Sequence, residues 1–155
     1  MKDLVAQFQR EQLHGAAGAG DLARVDALIE RGYPVNRFDS LGWTPLHHAV
    51  RGEHFNVVDR LLAAGANVNA NDERQIGDTP LADCVETCTY EMAKRLIDAG
   101  ADPTIPGWMQ LTAVHRAEVR KDVNARKIRR LLHDTVARRA TSVTPTSQAL
   151  PPDAP

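Results

Sequence analysis

The stretch Thr44-Pro-Leu-His-His-Ala-Val50, TPLHHAV, sets two of the chain's six histidines side by side. Adjacent imidazoles could be reactive groups, metal ligands or scaffolding, and the rest of the chain supplies the answer. TPLADC at 79–84, TAVHRA at 112–117 and, more faintly, EQLHGA at 11–16 repeat the stretch, with starts 33, 35 and 33 residues apart. A second landmark keeps step: Gly32, Gly65 and Gly100 each fall 21 residues after the start of a unit and lead into YPVN, ANVN and ADPT. Two independent landmarks with one period define an internal repeat of stacked supersecondary units.

Each unit reads as helix, turn, helix, extended finger. Thr44 and Thr79 stand where a hydroxyl can accept from free backbone N–H groups at a helix start. Pro45 and Pro80 follow at the first helical position, where a missing N–H costs nothing. Leu46 with Ala49, Leu81 with Cys84, and Val114 with Ala117 share a helical face whose small residues let neighbouring helices approach closely. The second helices carry longer aliphatics at helical spacing: Leu22, Val25, Leu28 and Ile29; Phe55, Val58, Leu61 and Leu62; Tyr90, Ala93, Leu96 and Ile97. Each of these helices then stops at a glycine that can take the left-handed conformation. No unit can bury its apolar face alone, so the four must share one quasi-linear core.

This pattern resembles the ankyrin repeat, whose signature is TPLHxA, paired helices and then a Gly-Ala-Asp/Asn turn; the resemblance covers about residues 3 to 135. It implies an all-α ankyrin-repeat solenoid of stacked helix-turn-helix units with short β-hairpin fingers. It also implies that His14, His47 and His115, which share one repeat position, are structural imidazoles bonded to the preceding Thr and to backbone of the neighbouring finger. Ala82 replaces that histidine in the third unit, where a weaker capping network is expected.

The expected units run over about 3–38, 39–73, 74–106 and 107–139, forming one domain over 1–139. Glu11 and Gln12 replace Thr-Pro in the first unit, which reads as one long opening helix from about Asp3 to Gly18 that caps the N-terminal end. In the fourth, Leu131-Leu132 sit two residues later than Leu61-Leu62, which predicts a longer inter-helix loop around Asp122-Val-Asn124 and a charged outer helix. After Arg139 the sequence ATSVTPTSQALPPDAP holds four of the nine prolines and predicts a disordered tail over 140–155.

Hydrophobic residues at 43% and charged residues at 25% over 155 positions describe one ordinary folding unit. MKDLVAQFQRE contains no secretory apolar run, and no segment approaches the roughly 20 apolar residues of a membrane span, so a cytoplasmic protein is expected. Cys84 and Cys88 give no disulfide framework; Cys84 takes the small buried slot of Ala49 and Ala117, whereas Cys88, at the helix end, is expected as an exposed thiol. HHAVRGEH lacks the i, i+4 histidine pair and carboxylate of a zinc helix, and GAAGAG at 15–20 lacks the Lys-Ser/Thr of a phosphate loop. With no Ser-His-Asp set and no cofactor fingerprint, the sequence predicts no enzyme, metal or cofactor.

Function then falls to the surface that stacking creates. The resemblance implies contacts from the finger tips and from the solvent side of each first helix. Carried onto this chain, the partner-binding candidates on the fingers are Ser40, Leu41 and Trp43; Gln75, Ile76 and Asp78; Trp108, Met109 and Leu111. On the helices they are His48 and Arg51, Asp83 and Glu86, Arg116 and Arg120. Large apolar groups and Arg dominate binding hot spots, and the alternation of groove charge would be met in reverse order by a partner. The finger through Asn71-Asp72-Glu73-Arg74-Gln75 is two residues longer than its counterparts, a further recognition element.

The expectation is a monomeric, non-catalytic module that binds another protein and modulates it, an inhibitor being one version. The alternative is electrostatic binding of nucleic acid or an anionic surface by residues 116–139, which carry nine basic against three acidic groups, a charge of +6 where the remainder carries -7. The net charge of -1 for the whole chain argues against nucleic acid.

Overall fold

The computed structural model describes residues 11–72, 74 and 77–142, and within them the chain forms eight α-helices in four consecutive pairs. These are α1 (Gln12–Gly18) with α2 (Leu22–Glu30), α3 (Pro45–Arg51) with α4 (Phe55–Ala63), α5 (Pro80–Cys84) with α6 (Tyr90–Asp98), and α7 (Ala113–Val119) with α8 (Ala125–Ser142). The first helices stack α1 on α3, α3 on α5 and α5 on α7, while α2 packs on α4 and α6 on α8. The core divides accordingly. Ala16, Ala17, Ala49, Ala82, Cys84, Ala113 and Ala117 bring the first helices close, and Leu28, Leu61, Met92, Leu96, Ile128 and Leu132 fill the second row.

The three glycines close their helices as expected, at φ of +81° for Gly32, +90° for Gly65 and +96° for Gly100. Beyond each, an N–H returns to the helix: Tyr33 to the Leu28 carbonyl at 3.1 Å, Ala66 to Leu61 at 2.9 Å and Ala101 to Leu96 at 2.9 Å. That bond satisfies an orphan carbonyl, and a side chain at the glycine would strain the conformation it requires. Two asparagines then tie unit to unit. Asn36 Nδ2 donates to the Gly65 carbonyl at 3.0 Å while its Oδ1 accepts from Asn67 N–H at 2.7 Å. Asn69 does the same one unit on, to the Gly100 carbonyl at 3.2 Å and from Asp102 N–H at 2.7 Å.

The fingers differ from the expected β-hairpins, since no strand forms among the described residues. The tips at 39–43 and 107–111 each keep a single backbone rung, Asp39 N–H to the Trp43 carbonyl at 2.8 Å and Gly107 N–H to the Leu111 carbonyl at 2.9 Å. At the first of these tips the Asp39 carboxylate takes the Trp43 N–H, the donor that would otherwise return a second rung to the Asp39 carbonyl, and also binds the Leu41 N–H inside the loop. The last helix also runs on through Ser142, so residues 140–142, expected in the tail, are helical. Its Arg139 is held by Asp102 at 2.8 Å. The expected opening helix is described only from Gln12, and residues 3–10 and 143–155 lie outside the described part.

The three repeated histidines make graded versions of one bond set. His47 is fully buried; its Nδ1 accepts from Thr44 N–H at 3.0 Å, with the Thr44 hydroxyl 2.9 Å away, and its Nε2 donates to the Asp78 carbonyl of the next finger at 2.9 Å. His14 has the finger bond alone, 2.8 Å to the Arg37 carbonyl, because Glu11 stands where Thr would be. His115 has the Thr112 bonds alone, is exposed, and meets no following finger among the described residues. In the third unit Thr79 caps without an imidazole, accepting from Ala82 N–H at 3.2 Å.

Burial holds the His47 pKa down from 6.5 to about 4, and burial lowers that of His14 as well. The unfolded chain therefore takes up a proton at His47 below pH 6.5 that the folded chain refuses until about pH 4. Its contribution is complete above pH 6.5 and falls by up to about 3 kcal/mol as the pH drops to about 4. Urea unfolding at a series of pH values should show this loss. His47→Ala should cost about 2–4 kcal/mol at neutral pH and flatten the slope, whereas His115→Ala should cost under about 1 kcal/mol.

Candidate partner-binding groove

The repeat register places two positions per unit along the groove side of the first helices and their C-terminal ends. Four residues after each unit start stand Gly15, His48, Asp83 and Arg116; three further on stand Gly18, Arg51, Glu86 and Val119. The charged members pair across units. Arg51 reaches Asp83 at 3.5 Å, and Arg116 bonds Asp78 through both carboxylate oxygens at 3.0 and 2.9 Å and Glu86 at 3.3 Å. The alternation in the sequence is thus largely an internal order, in which each charge faces its opposite one unit away, and Arg51 and Glu86 remain half-exposed at its edge. Burial raises the Asp83 carboxyl above its ordinary pKa, with Arg51 pulling the other way.

The second finger is fixed from within the groove. His48 Nε2 lies 2.7 Å from Asp39 Oδ2, and edge-on contacts place the His48 ring 5.5 Å from Trp43 and 5.7 Å from His14. Burial pushes the Asp39 pKa up, but the Trp43 N–H, His48 and Leu41 N–H donors outweigh it and hold the carboxyl below its ordinary value. The Arg51 guanidinium sits 4.3 Å over the Trp43 ring, so Trp43 floors the groove while Ser40 and Leu41 stand exposed at the tip.

A different device fixes the fourth finger. Asp78 Oδ1 accepts from Trp108 N–H at 3.0 Å, so the carboxylate held by Arg116 also anchors the tip. Gly107 makes room for it: a Cβ there would lie 2.0 Å from Asp78 Oδ1 and 3.1 Å from its Cα. The chain then turns through Met109 at φ +58° and Gln110 at +61°, left-handed positions that cost non-glycine residues free energy. The result is Trp108 at 57% and Met109 at 68% exposure, with Leu111 exposed beside them.

Three expectations need correction. Asp78 is buried, holding Arg116, His47 and the fourth finger, and does not offer its carboxylate to solvent. Arg120 is also buried, its side chain only 3% exposed, because α7 ends at Val119 and the chain turns inward; Nη1 donates to the Val85 carbonyl at 2.8 Å and the fork grips Asp122. Val119 takes the exposed position instead. Cys88, expected as an exposed thiol, is only 3% exposed. A hydrogen bond from Cys84 lowers its pKa, the neighbouring Arg120 guanidinium adding to the effect, while the same bond and burial push Cys84 up. Gln75 and Ile76 lie outside the described residues.

A sequence profile for the family described as Ankyrin repeats (3 copies) matches residues 13–107. The chain belongs to the ankyrin repeat family. The match ends before α7, so the fourth helix pair is seen in the structure and not in the profile. Among similar curated proteins, a putative ankyrin repeat protein of Rickettsia felis is 35% identical over 104 residues, covering 61% of this chain and 45% of that protein. Ankyrin repeat domain-containing protein 40 of Mus musculus is 43% identical over 60 residues, 38% of this chain and 16% of the relative. The 2-5A-dependent ribonuclease of Mus musculus is 39% identical over 66 residues, 42% and 9% respectively. The chain therefore spans less than half of each of these relatives. Ankyrin repeats are in general protein-interaction modules and not catalysts. No helix among the described residues is long and apolar enough to cross a membrane.

Gly107→Ala should displace the Asp78 carboxylate and cost about 1–3 kcal/mol by overpacking. Asp78→Ala, which takes the bidentate partner from the part-buried Arg116 and leaves it Glu86 alone, should cost about 1–3 kcal/mol. Chemical denaturation measures both. Tryptophan emission in Asp78→Ala should shift relative to the same variant carrying Trp108→Phe, which reports the tip alone.

Proposed function

We propose that this ankyrin repeat chain docks a partner protein on the groove of α3, α5 and α7 and on the second and fourth finger tips, and regulates that partner by covering a functional surface. The observation that carries the reading is the fourth finger. A buried Asp78–Arg116 pair, a glycine and two left-handed residues combine to hold a tryptophan outward, and strain of this kind persists where surrounding structure imposes it. Desolvating a rigid, half-exposed tryptophan on a partner is worth far more than leaving it in water, which gives the strain a return. Leu41, Met109 and Leu111 extend the apolar edge, and Arg51 over Trp43 supplies a preorganised cation at its centre.

The nucleic-acid alternative draws less support from the side chains it depends on. Arg116, Arg120, Arg130 and Arg139 are paired with carboxylates, and Arg129 donates to the Glu118 and Arg120 carbonyls. Asp78 and Glu86 on Arg116 and Asp102 on Arg139 come from outside the segment, so part of its +6 is offset within the fold. A reducing, cytoplasmic setting is part of the same proposal, and the free buried thiols Cys84 and Cys88 suit it.

Affinity capture from the source cell identifies the partner, and calorimetry with the purified pair then tests the surface. Trp108→Ala with Arg51→Glu should weaken binding by roughly 100-fold, about 3 kcal/mol, while leaving the thermal midpoint within a few degrees. Equal affinity for both forms would refute the groove assignment.

A further inference from the structure

The α7–α8 corner stands outside this groove and carries the charge that internal pairing leaves over. Of the basic side chains between 116 and 139, Lys121, Arg126 and Lys127 are exposed and have neither an ion pair nor a hydrogen bond among the described residues. All three line one open pocket of about 580 Å³ at the start of α8, where five basic side chains meet two acidic ones. The two acids are already engaged, Asp122 by Arg120 and Glu118 by His133 at 3.1 Å. The pocket floor is rigid, since Arg120 is buried and Arg129 is fixed to the Glu118 and Arg120 carbonyls. In its wall, Val123 is 92% exposed.

We propose that this corner is a second docking surface, for a short acidic peptide segment of a partner protein that carries an apolar side chain among its carboxylates. Charge complementarity supplies the first half of the argument. Lys121, Arg126 and Lys127 are an uncompensated cluster in a chain whose net charge is -1 and whose other groove charges are matched. Val123 supplies the second half, because an exposed Val at the mouth of a cationic pocket gains by being covered and gains nothing from phosphate.

A peptide also fits the acids better than a nucleic acid does. Glu118 and Asp122 lie in the pocket and Asp134 lies further along α8, so a regular row of phosphates would meet carboxylates that a peptide can avoid by placing its own charges singly. The corner is independent of the tryptophan finger, so the two readings fail separately.

Fluorescence anisotropy with the peptide acetyl-(Glu-Val-Glu-Leu) repeated three times tests the proposal on the full chain. Binding should weaken steeply from about 0.01 M to about 1 M salt, as the screening length falls from roughly 30 to 3 Å. The variant Lys121→Glu with Arg126→Glu and Lys127→Glu should lose at least roughly tenfold in affinity, and Val123→Ser roughly threefold. Each substituted side chain is exposed, so the circular-dichroism melt should not move, and Trp108→Ala should leave peptide affinity unchanged. Parallel titrations use a single-stranded oligonucleotide and phosphatidylserine vesicles. Peptide binding that is indifferent to the triple reversal, or to Val123→Ser, would overturn the proposal. So would no peptide binding at low salt, or tighter binding of the oligonucleotide or vesicles than of the peptide.

Discussion

One imidazole carries the connection on which the stack depends. His47 closes the start of its own helix through Thr44 and, with its other nitrogen, takes hold of the next unit at the Asp78 carbonyl. Because the ring is buried, both nitrogens must be satisfied and the neutral tautomer is fixed, so the bond set is either complete or costly. A repeat protein has no long-range core to fall back on, and neighbour contacts of this kind are its stability. The asparagines at 36 and 69 perform the same office along the fingers, joining each turn to the next by a donor and an acceptor. Where these links lapse, the bond set is incomplete: Glu11 stands where a Thr would bond His14, and among the described residues His115 has no finger to hold.

Side chains that look like a display of charge in the sequence act mainly as cross-braces. Arg51 to Asp83 and Arg116 to Asp78 and Glu86 join neighbouring first helices, and Arg60 to Asp26 and Arg95 to Asp59 do so for the second helices. Exposed pairs of this sort contribute little each, at most about 1 kcal/mol. The buried Asp78–Arg116 pair differs because desolvation makes either partner costly without the other. What reaches solvent is consequently selective: an apolar finger edge, an arginine on a tryptophan, and a cationic corner at the far end.

The period of the repeat was readable because packing imposes it residue by residue: Thr-Pro at helix starts, Gly at helix ends, small residues between first helices. Helix positions follow from that register with little error. The site was less legible, for identifiable reasons. Register places Val119, the counterpart of Arg51 and Glu86, on the groove; Arg120 reads as the basic group beside it but stands one residue further on, where α7 has ended and the chain turns inward. Asp78 sits at a finger position and reads as surface, yet a glycine 29 residues later in the chain makes the space that buries it. Asn36 and Asn69 fall at equivalent places after their glycines, a signal present in YPVN and ANVN, and their bonding to the next unit is a distance relation that spacing does not reveal.

The position of Asp78 bears on how recognition can change in such a protein. Its carbonyl answers the second unit, its carboxylate the fourth, and it lies between them in the third. A finger tip is usually thought of as the freely variable part of a solenoid. Here the tip at Trp108 is tied through Asp78 to a helix start two units away, so on the proposed reading a change at that tip must keep Gly107, Asp78 and Arg116 together or give up part of the stack's stability. The second finger, braced within its own unit by Asp39, His48 and the Arg51 guanidinium on Trp43, is on that reading the less encumbered place for new binding preferences to arise.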